Sequence, residues 1–314
     1  MMDKDFYNAS SATKLGWDPE WFECDEFDVN LVKAVQKWQK ANGLAADGMV
    51  GPMTYRRIWT EREASISDYE PKKNVYAPSD KHIVHNGHFI AIEWDKVILW
   101  DEGGGFKSNK GCYTDYSGKP DRKPTMFVNH WDACLSAESC ANVLNRRGIS
   151  VHFLIDNDGT IFQMLDTQHK AWHAGIARYE GGNTKGIGVE ISNAYYLKYQ
   201  EWYVKHGFGE RPIQKHGYVH GKTKDPFLDF YPVQLEALKA LWKAIHFGVG
   251  IPLEYPKNSA GHIETSVHRD CERGKFHGIC NHYNFTKNKI DCAGLDLPGL
   301  MAEVMQTPMY CRDE

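Results

Sequence analysis

The chain has 314 residues, a formal net charge of −4, and 42% hydrophobic against 25% charged residues. These proportions suit a globular protein of one large domain, or a medium one with a small companion, and exclude a disordered chain. There is no bulk positive field for nucleic acid or an anionic membrane, and no apolar run approaches the ~20 residues that span a bilayer. Ten tryptophans and sixteen tyrosines offer aromatic faces that suit carbohydrate stacking as readily as a core.

Met1–Asn8 shows no basic stretch followed by an apolar one, so no secretory signal is expected. Synthesis in a reducing cytosol is expected, with the eight cysteines as thiols or metal ligands rather than bridges. Asp28 can cap a helix whose apolar positions Leu31, Val32, Val35 and Trp38 recur at helical spacing, ending near Gly43. Asp47-Gly48 is a turn signal, and Gly51-Pro52 opens a second helix through Tyr55, Ile58 and Trp59. The order Val35 to Tyr55, with its aromatic-Gln, Gly-Leu, Asp-Gly-x-Val-Gly-Pro and Thr-aromatic elements, resembles the three-helix peptidoglycan-binding domain family over roughly residues 10–62. The resemblance implies a module over 1–62, with Trp38, Gln39, Asp47, Gly48 and Tyr55 as the cell-wall anchor. Residues 63–80 turn polar, carry two prolines and read as a linker.

The large domain, 81–314, mixes strands and helices. Thr125–Asn129 is a short apolar run ending at His130, and Ser136 can cap a helix through Asn145 with Gly148 as its stop. Val151–Asp156 and Thr160–Leu165, joined by Asn157-Asp158-Gly159, read as a hairpin. Gly186–Ser192 is a further strand, and Pro232–Phe247 a helix with Leu235, Leu238, Leu241, Trp242 and Ile245 on one face. The expected fold class is α/β, a mixed central sheet flanked by helices, behind a small all-α module. Residues 82–124, 195–231 and 256–281 show no clear periodicity; 195–231 reads as an insertion or lid.

Chemistry concentrates in His282–Gly294, which holds His282, Lys289, Asp291 and Cys292. Imidazole and thiolate are good zinc ligands, and His130 is a plausible third; three protein ligands leave a position for water. In Gly186–Ser192, alternation turns Ile187, Val189 and Ile191 one way and Gly188, Glu190 and Ser192 the other. Glu190 is therefore either solvated on an edge or held in a cleft, where desolvation would make it a usable general base. His82, His85 and His88 read as solvated loop histidines, and His262 is a rival to His282.

Ala171–Gly175, then Gly186-Ile187-Gly188-Val189-Glu190, looks like the zinc-dependent N-acetylmuramoyl-L-alanine amidase family shared by phage amidases, anhydromuropeptide amidases and peptidoglycan-recognition proteins. Val151–Ile161 matches that family's hairpin, and His130 and His282 its two zinc histidines; the match is strongest over 125–300. The resemblance implies one catalytic zinc, Glu190 as general base, and Lys289 with His173 steadying the oxyanion. Trp172, Trp131 and Asn129, beside the site histidines, are the expected substrate contacts. For the third ligand, Lys289-Ile290-Asp291 favours Asp291, whereas the Cys292-Ala293-Gly294 frame and the softer thiolate favour Cys292, which is preferred. Val151 replaces the tyrosine some members carry, siding with the glutamate-using branch.

The implied protein is a cell-wall hydrolase cutting between N-acetylmuramic acid and L-alanine, a phage endolysin held in the host cytoplasm until release to the wall. Its partner would be peptidoglycan, with no nucleic acid, no membrane insertion and a monomeric state. The rivals are a non-catalytic peptidoglycan-recognition protein and a zinc peptidase of the stem peptide.

Overall fold

The computed structural model describes residues 3–70, 81–119, 122–176, 179 and 181–306. Three helices form the N-terminal module. Helix α1 (Lys4–Leu15) starts where the Asp3 side chain accepts from the Asp5 and Phe6 amides and ends at Gly16, in the left-handed region at φ 74°. Helix α2 (Val29–Ala41) is capped by Asp28 as expected, and α3 (Pro52–Ala64) has its proline in the first turn, where no amide is needed.

The expected wall-anchor residues hold this module together. Gln39 is buried; its Nε2 donates to Asp47 Oδ1 at 2.9 Å and to Met49 O at 3.0 Å, and its Oε1 accepts from the Gly48 amide at 2.8 Å. Gly48, at φ 77°, lies where a Cβ would meet Val32 Cγ1 at 2.7 Å. Tyr55 is fully buried and stacks on Trp21, while the half-buried Trp38 packs edge-on against Phe22. The anchor assignment is corrected for Gln39 and Tyr55, whose side chains close the turn and fill the core and so cannot face a polymer. Asp47, though exposed, spends its Oδ1 on the same turn.

In the large domain six strands make one mixed sheet: β1 (Val97–Leu99), β2 (Met126–Trp131), β3 (Phe153–Ile155), β4 (Ile161–Gln163), β5 (Gly186–Ile191) and β6 (Gly278–Asn281). Their spatial order is β6-β2-β5-β3-β4-β1. All neighbours are parallel except the β3–β4 hairpin, in the register Leu154↔Phe162. Helix α4 (Ala137–Arg147), capped by Ser136 and stopped by Gly148, covers one face; α5 (Pro232–Val249) and α6 (Leu297–Gln306) cover the other. The main core joins Phe127, Ile187, Val189 and Ile191 to Leu238, Leu241 and Trp242, so the apolar side of β5 faces α5 as its alternation predicts.

Residues 195–231 are tied to the sheet. They hold a short helix, Gln200–Lys205, and two-residue ribbons. Arg211, 2% exposed, donates to Ser192 O at 2.7 Å, to Asp229 O at 2.9 Å and to Asn157 Oδ1, and lies over the rings of Tyr203 and Tyr231. A buried guanidinium bonded through both terminal nitrogens, with its Nε left unpartnered, ties this segment to the sheet.

The N-terminal module docks on α4 through an apolar cluster running from Leu15, Leu31 and Ile58 into Ala141, Leu144 and Phe162. Each large apolar side chain buried this way contributes roughly 1.5–3 kcal/mol. Polar contacts set the registration. Trp59 Nε1 donates to Ser139 Oγ at 3.0 Å, Ser139 Oγ to Glu63 Oε2 at 2.6 Å, Thr60 Oγ1 to Ala133 O at 2.9 Å, and Arg56 Nη1 to Asp132 O at 3.2 Å. Of the expected linker, Glu63 makes this contact and Tyr69 packs against Trp202; residues 71–80 lie outside the described residues.

Candidate active site

Parallel register assembles the site. His130 on β2 is the partner of Glu190 on β5, and Asn281 on β6 pairs with Asn129, so His282 emerges beside His130. The three residues thus meet at the carboxyl ends of adjacent parallel strands, where open α/β sheets form their crevices. The following loop returns Asp291 to the same point. His130 Nδ1 lies 2.8 Å from His282 Nδ1, and Asp291 Oδ2 lies 3.2 and 2.9 Å from those two nitrogens.

These three donors suit a zinc ion. Two imidazole nitrogens and one carboxylate oxygen converge at separations near the ~3.3 Å edge of a tetrahedron with bonds of about 2.0–2.1 Å. Burial lowers the pKa of His130 and drives that of His282 down to about 3, which keeps the rings neutral as ligands. Burial opposes the Asp291 carboxylate, yet His282, the imidazole hydrogen bonds and Lys289 hold its pKa well below the usual value. Cys292, the preferred third ligand, is not in this cluster. It is fully buried in the main apolar core with Ala293 and Leu295, and burial pushes its thiol pKa well up. The expectation is corrected to Asp291: the turn that carries both residues brings the carboxylate to the imidazoles and buries the thiol in the apolar core.

Glu190 is buried, 7% exposed, and its Oε2 has no hydrogen-bond partner. Burial pushes its pKa up to about 8; Arg56 opposes the shift, and Asp291 and Asp132 add to it. His173 Nδ1 lies 2.9 Å from His130 Nε2, and its ring occupies the space a side chain would need at Gly188, where a Cβ would fall 2.6 Å from Nδ1. Through this contact His173 backs the His130 ring, while its own Nε2 has no hydrogen-bond partner. Lys289 lines a cleft together with Asp291.

Of the expected substrate contacts, Trp131 lines this cleft and stacks on Tyr195 at 5.0 Å. Asn129 is corrected. It points to the opposite face of β2 from His130, donates to Cys280 O and accepts from Trp242 Nε1, so it is a buried lock between strand and helix. Trp172 is half-buried, its Nε1 donating to Thr114 Oγ1 at 3.3 Å. His85 bonds Thr167, His82 packs on Phe89, and His262 is exposed, all away from the cluster. A second grouping, Asp132, Cys134 and Cys140, is buried, but the Asp132 carboxylate already accepts from the Cys134 and Asn193 amides and from Ser192 Oγ.

The sequence reading missed the other wall of the cleft. Arg56 and Arg57 of α3 face Tyr195, Tyr196, Lys289 and Asp291 across it. Only the paired arginines on a short helix hinted at this, because helical periodicity does not say which partner covers a face.

The family described as N-acetylmuramoyl-L-alanine amidase matches residues 120–275, and that described as "Putative peptidoglycan binding domain" matches 13–58. The amidase match ends before His282, so the fold alone brings His282 and Asp291 to His130. Similar proteins include the 1,6-anhydro-N-acetylmuramyl-L-alanine amidase AmpD of Escherichia coli (strain K12), 38% identical over 56 residues, 17% of this chain and 31% of AmpD. That of Citrobacter freundii is also 38% identical over 56 residues, 17% of this chain and 30% of the relative. This chain therefore spans about a third of the length of the curated relatives it matches. Among solved structures, AmpDh3 from Pseudomonas aeruginosa in complex with anhydromuramic pentapeptide is 20% identical, with a TM-score of 0.38, over 61% of this chain and 65% of that one. The chain thus resembles the N-acetylmuramoyl-L-alanine amidase family over residues 120–275 and the peptidoglycan-binding domain family over residues 13–58.

Proposed function

We propose that the protein is a zinc-dependent N-acetylmuramoyl-L-alanine amidase that cuts peptidoglycan between N-acetylmuramic acid and L-alanine. The observation that carries this reading is the convergence of His130, His282 and Asp291 beside a buried glutamate with a free carboxylate oxygen. His130, His282 and Asp291 would hold the ion. Bound there, zinc supplies Lewis acidity to the scissile carbonyl and lowers the pKa of a water towards ~7.

Glu190 Oε2 accepts the proton of the attacking water and returns it to the leaving L-alanine amine, a contribution typically of about 10²–10⁴. Its raised pKa makes it basic enough to take that proton and acidic enough to give it up. Lys289 offsets negative charge developing on the carbonyl oxygen. His173 holds the His130 ring from behind, the usual way a ligand imidazole is oriented. Trp131 and Tyr195 give the cleft an apolar floor against which a sugar or peptide can pack.

The biological setting we propose is a phage endolysin, monomeric and kept in the host cytoplasm until the membrane is permeabilised. The wall-binding-family module supports it by holding the enzyme on a polymeric substrate. The decisive experiment incubates the zinc-loaded protein with purified cell walls and analyses the products by mass spectrometry. New L-alanine amino termini with intact lactyl carboxylates are expected. Cleavage within the stem peptide would replace the reading with a peptidase, and intact walls would leave a binding protein. Expression in a bacterium should cause lysis only after a membrane-permeabilising agent is added; lysis without it would remove the endolysin setting.

A further inference from the structure

Arg57 is a buried cation that no carboxylate among the described residues pairs with. It is 8% exposed, and its Nη1 has no hydrogen-bond partner. The guanidinium lies 3.4 Å over the Tyr196 ring, a contact that orients it without neutralising it. Glu61, the carboxylate on its own helix, is engaged by Lys198 at 3.2 Å instead. Removing a guanidinium from water without an anion is costly, so a buried unpaired arginine is stable only where something else compensates it. Arg57 lines the same cleft as Asp291 and Lys289, and Arg56 stands next to it with Nη1 held on Asp132 O.

Building on the amidase reading, we propose that Arg57, supplied by the N-terminal module, receives a carboxylate of the substrate's stem peptide inside the catalytic cleft. The module would then be one wall of the active site as well as a tether. A planar guanidinium whose face is fixed on Tyr196 presents its N–H edge to a carboxylate in fixed orientation, the geometry in which arginine outperforms lysine. Arg57 acts here as a specificity residue, selecting an acidic peptide over a neutral one, while water attack stays with Glu190.

The test measures binding, not turnover. The full chain carrying Glu190→Gln is titrated calorimetrically with N-acetylmuramoyl-L-alanyl-D-glutamate and with the same compound bearing both glutamate carboxylates as amides. The acid should bind roughly 10- to 100-fold more tightly, the range for a charge-assisted hydrogen bond. Adding Arg57→Met should bring the acid down to the level of the diamide and leave the diamide unchanged; Arg57→Lys should restore part of the difference. Equal binding of the two ligands by the protein that retains Arg57 overturns the proposal, and this comparison stands even if Arg57→Met fails to fold. An equal loss for both ligands on Arg57→Met also overturns it, leaving Arg57 as interface packing. Faster wall cleavage by Arg57→Met with Glu190 intact overturns it too, because the module would then be a plug. Failure of the amidase reading shows separately, as missing L-alanine amino termini with the unmutated chain.

Discussion

Asp291 and Cys292 are adjacent, yet their replacement should have opposite consequences for metal binding. Structural zinc sites of four ligands are worth about 10–16 kcal/mol, or about 2.5–4 kcal/mol for each ligand. Losing one ligand should therefore weaken zinc binding roughly 10²- to 10³-fold. Asp291→Ala removes the oxygen that lies 2.9 and 3.2 Å from the two imidazole nitrogens, so it should show this loss in full. Cys292→Ala deletes a small side chain from a packed core and should cost about 1 kcal/mol of stability with zinc affinity unchanged. The assay is competition for zinc against a chromophoric chelator at pH 7, paired with urea unfolding of each variant. Zinc loss on Cys292→Ala with retention on Asp291→Ala would refute the geometric argument.

Three further outcomes follow from the same geometry. Glu190→Gln should keep zinc but lower the cleavage rate by at least about 10²-fold, as expected for removal of a general base; near-normal turnover would remove Glu190 from the chemistry. Gly188→Ala should drive a methyl group into the His173 ring and cost about 1–3 kcal/mol, read by urea denaturation together with weaker zinc binding through His130. Glu63 has its pKa raised by burial from 4.5 to about 7, so the folded chain keeps a proton that the unfolded chain releases. Its contribution to stability is then fully present below about 4.5 and is lost as pH rises to about 7, by at most about 3 kcal/mol. Urea midpoints should fall between pH 5 and pH 8, and Glu63→Gln should flatten that fall.

The residues legible in the sequence were those whose position follows from a period. Strand alternation set Glu190 opposite Ile187, Val189 and Ile191, and a parallel register then carried it to His130. The same alternation places Asn129 with Phe127, on the face away from His130, and the helical spacing of Leu31, Val32, Val35 and Gln39 marks Gln39 as buried. The choice between Asp291 and Cys292 was different in kind. An irregular loop has no period, so only the core packed against Cys292 could decide it. Arg56 and Arg57 were illegible because their role comes from contact between segments about seventy residues apart, Thr60 meeting Ala133 and Arg56 meeting Asp132.

The shared apolar cluster between the N-terminal module and α4 bears on protein engineering. Exchanging the N-terminal module for another would be a natural engineering step. Here the exchange would strip Leu144 and Phe162 of their cover and take two cationic side chains out of the cleft in one cut. A chimera retaining only residues 81–314 should precipitate or lose selectivity, unless the transplanted unit reproduces the inner surface of α3.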